Sequence, residues 1–351
     1  TEDHTVTNAK SMLITGGAGF IGCHAATHYA ERGWRVTVFD DLSRRGSDIN
    51  WDHLQHRGDV RCIRGDVRQP ADLDRAFDKT GGVDAVLHLA AQVAVTTSVT
   101  DPRHDFEVNA LGTFNVLEAV RRHAPDAGFV YASTNKVYGG LEHHDVIERD
   151  GRYDFASLPS GVSEAEPLDF HSPYGCSKGA ADQYVRDYSR IYGLRSFVVR
   201  QSCIYGTRQF GVEDQGWVAW FTIASVLGLP TAIYGDGKQV RDLLWVQDLL
   251  ELYDLCLERG RPGAIYNAGG GPANRASVLE VLGELERQLG RSIPRTFADW
   301  RPGDQRVFYS DNGKATSELG WVPRTGVHAG MEQLFAWVNE HAPAIARARA
   351  A

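Results

Sequence analysis

Met12-Leu13-Ile14-Thr15-Gly16-Gly17-Ala18-Gly19-Phe20-Ile21-Gly22 runs from an apolar, strand-like stretch straight into glycines at 16, 19 and 22. Gly16 permits a tight turn out of the strand. Gly19 lets backbone N–H groups approach an anionic group, and Gly22 lets the following helix lie close to the strands. That helix, read as 21–32, adds free N–H donors and the positive end of its dipole at its start. The next strand, 35–39, leads into Asp40. An acidic residue about 20 positions after such a turn meets the ribose hydroxyls of an adenine dinucleotide. Its charge repels a 2′-phosphate, which favours NAD over NADP.

Outward from the turn, short apolar runs alternate with amphipathic ones. Strands are expected at 12–15, 35–39, 60–64, 85–89, 129–132 and 196–200, with helices at 71–79, 106–123 and 174–192. This alternation implies parallel pairing through right-handed crossovers, hence an α/β, doubly wound parallel sheet. The connection 139–173 lacks the pattern, and a loop that long is functional or mobile. Beyond Tyr205, segments 217–227, 246–258, 278–289 and 327–341 read as helices, 231–234 and 264–267 as strands, 235–237 as a turn, and 344–351 as frayed helix. Residues 11–205 with about 243–267 form the dinucleotide-binding part. Residues 206–242 with about 268–345 form a smaller C-terminal α/β subdomain on the carboxyl edge of the sheet.

The 351 residues, 42% hydrophobic and 23% charged, suffice for a core of one or two domains. A formal charge of -8 argues against a nucleic-acid partner. No apolar run approaches the ~18 residues of a membrane span. Cys23, Cys62, Cys176, Cys203 and Cys256 are dispersed without a CxxC pair, as free thiols in a reducing compartment are. Residues 1–10 are polar, without a signal-peptide core, and read as a loose leader; a cytoplasmic location is expected. Cys176 and Cys203 read as small buried hydrophobes. His143-His144 and His171 have no suitably spaced ligands beside them, so no metal site is expected.

Ser172-Pro173-Tyr174-Gly175-Cys176-Ser177-Lys178 opens a helix, with Pro173 suited to its first turn. The spacing puts Tyr174 and Lys178 on one helix face. Tyrosine titrates near 10 unaided. A neighbouring ammonium and an oxidised nicotinamide both favour the phenolate, which can then take a proton from a sugar hydroxyl. Ala132-Ser133-Thr134-Asn135-Lys136-Val137-Tyr138-Gly139 closes the fifth strand and offers a second hydroxyl, Thr134 or Ser133, to the same substrate oxygen. Asp66 closes the third strand, and Leu89-Ala90-Ala91 the fourth, where small residues allow a close backbone approach.

Gly16–Gly22, Asp40, Ser133–Gly139 and the Tyr174/Lys178 pair together resemble the extended short-chain dehydrogenase/reductase superfamily. The resemblance is to its nucleotide-sugar epimerase/dehydratase branch, and it extends from about residue 10 to residue 339. It implies a Rossmann fold and NAD bound by Gly16, Gly19, Phe20, Ile21, Gly22, Asp40, Asp41, Ser43, Asp66, Val67, Leu89, Ala90, Ala91, Asn109, Tyr174, Lys178 and Gln201. It implies Tyr174 as acid/base, Lys178 on the nicotinamide ribose and tuning Tyr174, and Thr134, with Ser133, at the reacting hydroxyl. Substrate contacts are implied at Gln92, Asn135, Lys136, Cys203, Arg208, Gln215, Trp217, Lys238, Arg241, Arg301 and Asp304. Arg241 and Arg301, with Arg208 and Lys238, lie in Gly-rich or Pro-adjacent loops and are the cations expected to hold a diphosphate in an acidic protein. Cys203 stands where relatives often carry Asn. Trp217 and Trp220 fit either stacking on the ligand or core packing.

Dehydratases of this branch carry Asp-Glu after the catalytic Thr, because elimination of water needs an added acid and base. Here the pair is Asn135-Lys136, which argues for epimerisation through a keto-sugar. Stretches 133–139, 169–184, 214–217, 235–242 and 304–308 resemble, more narrowly, the CDP-tyvelose (CDP-paratose) 2-epimerase family. A UDP-sugar 4-epimerase is the nearest alternative. A non-catalytic NAD-binding regulator is more remote, since it would lack Tyr174, Lys178 or the glycine turn. The resemblance also implies a homodimer or homotetramer joined through helices 106–123 and 174–192.

Overall fold

The computed structural model describes residues 9–301 and 304–350. Seven parallel strands form its central sheet, in the order Ile265–Ala268, Arg195–Gln201, Gly128–Thr134, Ala85–His88, Ser11–Thr15, Arg35–Asp40 and Val60–Arg64. The first strand is buried on both faces, so its apolar run shows no polar alternation. Met12 and Ile14 point into a layer with Cys23, Ala26 and Tyr29 of helix Phe20–Glu31 and Leu249 and Tyr253 of helix Val246–Arg259. Leu13 points the other way, toward Val116 and Val120 of helix Gly112–His123 and Ala181 and Val185 of helix Ser172–Tyr192. Each large apolar side chain so buried contributes roughly 1.5–3 kcal/mol. All strands being parallel, every strand-to-helix turn that bears a candidate residue opens on one edge of the sheet.

Around that edge lie small sheets. Thr231–Tyr234 pairs with Arg295–Ala298, and Val240–Asp242 lies between Arg275–Ser277 and Val307–Phe308. Helices Trp217–Leu227, Val278–Leu289 and Val327–Ala350 enclose a third core. Ser277 and Glu280 cap the second of these reciprocally.

Several elements differ from expectation. The expected helix 106–123 is a composite of Pro102–Phe106, a π-helical turn Glu107–Leu111, and Gly112–His123. Helix Ser47–Arg57 was not expected. Its buried face is Ser47, Asn50 and Leu54, so polar residues hide the apolar period. Asn50 sits inside because its Nδ2 donates to the Ala18 carbonyl at 3.1 Å. The connection 139–173 holds a hairpin, Val146–Arg149 with Arg152–Phe155, turned at Asp150-Gly151 where both φ values are positive. Asp-Gly is the residue pair such a turn demands. The last helix runs on through Pro343 to Ala350 with Ile345 buried, so the described part of the stretch expected to fray is helical and anchored at Ile345. Of the expected leader 1–10, residues 1–8 lie outside the described residues.

Candidate active site

The glycine turn is built as its chemistry requires. Gly16 has φ +69, and a Cβ there would meet the Ala90 backbone; a Cβ on Gly22 would collide with the Gly16 carbonyl. Both Asp40 carboxylate oxygens are engaged, accepting from Ala18 N and Leu42 N at 2.9 Å each. Asp40 is thereby locked against the turn, each oxygen keeping a lone pair for a ligand.

Along the edge runs a cleft of about 530 Å³. It is lined by Gly16, Gly19, Phe20, Ile21, Gly22, Asp40, Asp41, Ser43, Asp66, Val67, Leu89, Ala90, Ala91, Tyr174, Lys178 and Gln201. A turn without Cβ atoms, first-turn N–H groups without intrahelical partners, and a strand-end carboxylate fit an adenine dinucleotide. Asn109 is the exception. It lies behind the cleft in the π-helical turn and is buried there. It exchanges hydrogen bonds with the Gln92 backbone at 2.9 Å and donates to Asp105 and Ser177 at 3.1 Å each. Asn109 therefore braces the wall and is not a lining contact. Gln92 lines the cleft, held by Asp105 at 2.8 Å.

Arg208, expected on the substrate diphosphate, and Gln215, expected as a substrate contact, line this dinucleotide cleft. The chain after Tyr205 folds back over the glycine turn, where the Thr207 carbonyl meets His24 Nε2 at 2.8 Å. Arg208 meets His53 Nδ1 at 3.0 Å, and Gln215 accepts from Arg44. Arg44, Arg45 and Asn50 also line the cleft, and sequence reasoning missed all three.

Tyr174 and Lys178 lie one helical turn apart and are 8% and 3% exposed. The Lys178 ammonium donates to the Ala132 carbonyl at 2.6 Å and lies 4.3 Å over the Tyr131 ring. Burial draws it down to about 7, against Asp182 and Asp105. Burial pushes Tyr174 up to about 12, opposed by the Thr134 hydroxyl beside it and by Arg44. The expected lowering of Tyr174 by Lys178 is thus absent, because the ammonium is turned onto strand Gly128–Thr134. The two candidate hydroxyls separate cleanly. Thr134 faces Tyr174, whereas Ser133 Oγ donates to Asp182 at 2.7 Å and is occupied there.

Beyond Thr134 a second cluster forms. Asn135 Nδ2 and Lys136 Nζ both donate to Gln305 Oε1 at 3.4 Å, and Gln305 Nε2 donates to the Gly139 carbonyl at 2.5 Å. Gln305 is buried and was not among the expected contacts, although it lies in the stretch 304–308 whose resemblance singles out Asp304. Burial draws Lys136 down to about 8, with Arg241 adding to the fall. Trp217 Nε1 donates to Cys203 Sγ at 2.9 Å, and burial pushes that thiol up to about 12. Cys203 is only partly buried and Cys176 is exposed, so neither is the fully buried hydrophobe expected. Trp220 packs in the third core, so of the two tryptophans only Trp217 reaches this cluster.

The expected diphosphate cations are already paired. Arg241 bonds Asp304 at 2.7 Å, and Arg301 bonds Asp214 at 2.8 Å while stacking on Tyr234 at 3.8 Å. A diphosphate has to compete with those carboxylates. Lys238 points elsewhere, to Glu148 of the hairpin at 2.7 Å. His143 and His144, set aside for want of a ligand partner, both meet Glu166.

A family model described as GDP-mannose 4,6 dehydratase matches residues 13–334. The CDP-paratose 2-epimerase of Salmonella typhi is 42% identical over 335 residues, covering 93% of this chain and 99% of that protein. Among solved structures, the UDP-glucose 4-epimerase of Thermotoga maritima with UDP-glucose superposes with a TM-score of 0.82 at 28% identity, over 95% of this chain and 99% of that one. The Thermus thermophilus UDP-glucose 4-epimerase in complex with NAD gives 0.79 at 33% identity, over 93% and 98%.

Proposed function

Because the chain belongs to the GDP-mannose 4,6 dehydratase family, we propose that it is an NAD-dependent epimerase of a nucleotide-diphosphate sugar, working through a keto-sugar, with CDP-paratose/CDP-tyvelose-type 2-epimerisation as its reaction. The observation that carries this reading is Asn135 and Lys136 converging on Gln305 directly after Thr134. Those positions offer no carboxyl group for the acid and base steps of dehydration.

A bound NAD would supply the hydride acceptor and donor, and its positive ring would offset the cost of the Tyr174 phenolate. Tyr174 takes the hydroxyl proton of the reacting carbon and gives it back once the sugar presents its other face. Thr134 hydrogen-bonds the same oxygen and fixes its distance. Lys178 holds the ribose side of the cleft. Arg241 anchors the diphosphate, so the sugar turns about a fixed point, while Asn135, Lys136 and Cys203 face it. On this reading residues 11–205 with about 243–267 form the dinucleotide-binding part and residues 206–242 with about 268–345 the nucleotide-sugar-binding subdomain. Arg208 and Gln215 of the latter reach into the dinucleotide cleft, and Asn135, Lys136 and Cys203 of the former face the sugar.

The reading extends to a homodimer or homotetramer in the cytoplasm. Phe106, Leu111 and Phe114 on one helical run, and Tyr184, Ile191 and Tyr192 on helix Ser172–Tyr192, are exposed apolar side chains. That pairing supports the expected subunit contact. Among the described residues, no helix is long and apolar enough to cross a membrane.

The test is incubation with CDP-, UDP-, GDP-, ADP- and dTDP-sugars, followed by NMR of the recovered sugar. Inversion at C2 of a CDP-sugar is expected, without deuterium from D2O at the inverted carbon. Inversion at C4 of a UDP-sugar would replace it with the second reading, which the likeness to the Thermotoga maritima structure favours.

A further inference from the structure

His143 and His144 lie in the connection between the two catalytic segments. Successive residues of an extended chain point to opposite sides. Here Leu141 adopts φ +60 and accepts from His144 N at 3.0 Å, and the resulting turn brings both imidazoles to one side, with centroids 4.2 Å apart. Opposite them stands Glu166. His143 Nε2 lies 2.6 Å from one of its carboxylate oxygens and His144 Nε2 lies 3.1 Å from the other. Among the described residues this is the one group of three or more His, Cys, Asp or Glu whose ligand atoms all lie within 4.8 Å of one another.

We propose that His143, His144 and Glu166 form a binding site for a divalent transition-metal ion of the zinc type. Two imidazoles and a carboxylate are a donor set that such ions take, at about 2.0–2.2 Å from each atom, which places the donors roughly 3.4 Å apart. The two imidazole–carboxylate separations, 2.6 and 3.1 Å, need to open only slightly to reach that. Glu166 and His144 have side chains only 11% and 17% exposed, and the His144 ring meets Phe155 edge-on at 5.9 Å. Two of the three donors are therefore oriented by packing before any ion arrives. His143, 59% exposed, supplies the entry path and leaves room for a water ligand.

The ion would act as a clip. It closes the chain between Tyr138-Gly139 and the start of the Tyr174 helix, and so fixes both ends of the hairpin segment. That hairpin reaches the C-terminal subdomain through Tyr153 N to the Lys238 carbonyl at 3.0 Å and Asp154 to Arg275 at 2.8 Å. Joining distant residues in this way removes conformational freedom from the unfolded chain. The site is independent of the catalytic reading, since neither histidine lines the cleft.

Full-length protein without a histidine tag, stripped with a chelator, is titrated with Co2+ and then with Zn2+. One equivalent of Co2+ with a visible ligand-field band, displaced by Zn2+ and accompanied by a higher melting temperature, is expected. His143→Gln and Glu166→Gln should each weaken Co2+ binding at least about tenfold. Their melting in chelator reports folding, and the exposed His143→Gln decides alone if Glu166→Gln does not fold. No stoichiometric binding, or binding unchanged in the folded variants, overturns the site.

Discussion

Asp182 grips Arg200 through two hydrogen bonds, 2.9 Å from Nε and 3.0 Å from Nη2, where neither side chain meets solvent. Ser133 Oγ donates to the same carboxylate, and Arg200 Nη1 reaches the Tyr138 hydroxyl at 3.1 Å. The pair thus ties the Tyr174 helix to both ends of the segment that carries Thr134, Asn135 and Lys136. Their positions relative to Tyr174 rest on it.

Breaking this pair strands a buried charge. Asp182→Ala should lose about 3–5 kcal/mol in urea denaturation. Replacing both partners, Asp182→Leu with Arg200→Met, should lose less than Asp182→Ala alone. A double variant as unstable as the single one would show that the charges do more than satisfy each other.

Tyr174→Phe removes the acid/base oxygen and keeps the ring that lines the cleft. Turnover should fall by at least ~100-fold, with the dinucleotide still bound by absorbance of the purified protein. Undiminished turnover would take Tyr174 out of the reaction.

His88 is fully buried, bridging the Thr15 and Thr113 hydroxyls at 2.7 and 2.8 Å. Burial lowers it to about 3, with Lys178 adding to the fall. A free histidine titrates near 6.5, so the unfolded chain takes up the proton first as pH falls. The contribution is complete above pH ~6.5 and is lost progressively toward pH 3. From pH 7.5 to 5.0 the parent should lose about 2 kcal/mol more than His88→Gln in parallel denaturant titrations. Equal losses would mean that His88 is not the neutral buried group described.

Phe114 and Tyr184 meet edge-on at 6.0 Å on the outer faces of their helices, both exposed. Phe114→Glu with Tyr184→Arg should convert the proposed oligomer to a monomer in light scattering. An unchanged mass would place the subunit contact elsewhere.

What the sequence by itself determined is the part whose geometry is local. Gly16, Gly19 and Gly22 mark a turn that tolerates no side chain, Asp40 follows at a set strand length, and Tyr174 and Lys178 share a face by helical period alone. The Asp150-Gly151 hairpin was equally local, though hidden inside a long connection. The tertiary structure alone decided what depends on partners distant in the chain. Ser133 and Thr134 are chemically alike neighbours. Ser133 is taken by Asp182 in the middle of helix Ser172–Tyr192, whereas Thr134, at the strand end, accepts from Lys136 N at 3.2 Å and meets Tyr174 at the start of that same helix. The fold-back after Tyr205 put Arg208 and Gln215 in the dinucleotide cleft, and Asp304 and Asp214 claimed the arginines expected to be free. Gln305 and Glu166 acquire their roles only through segments more than 20 residues away, where no sequence period reaches.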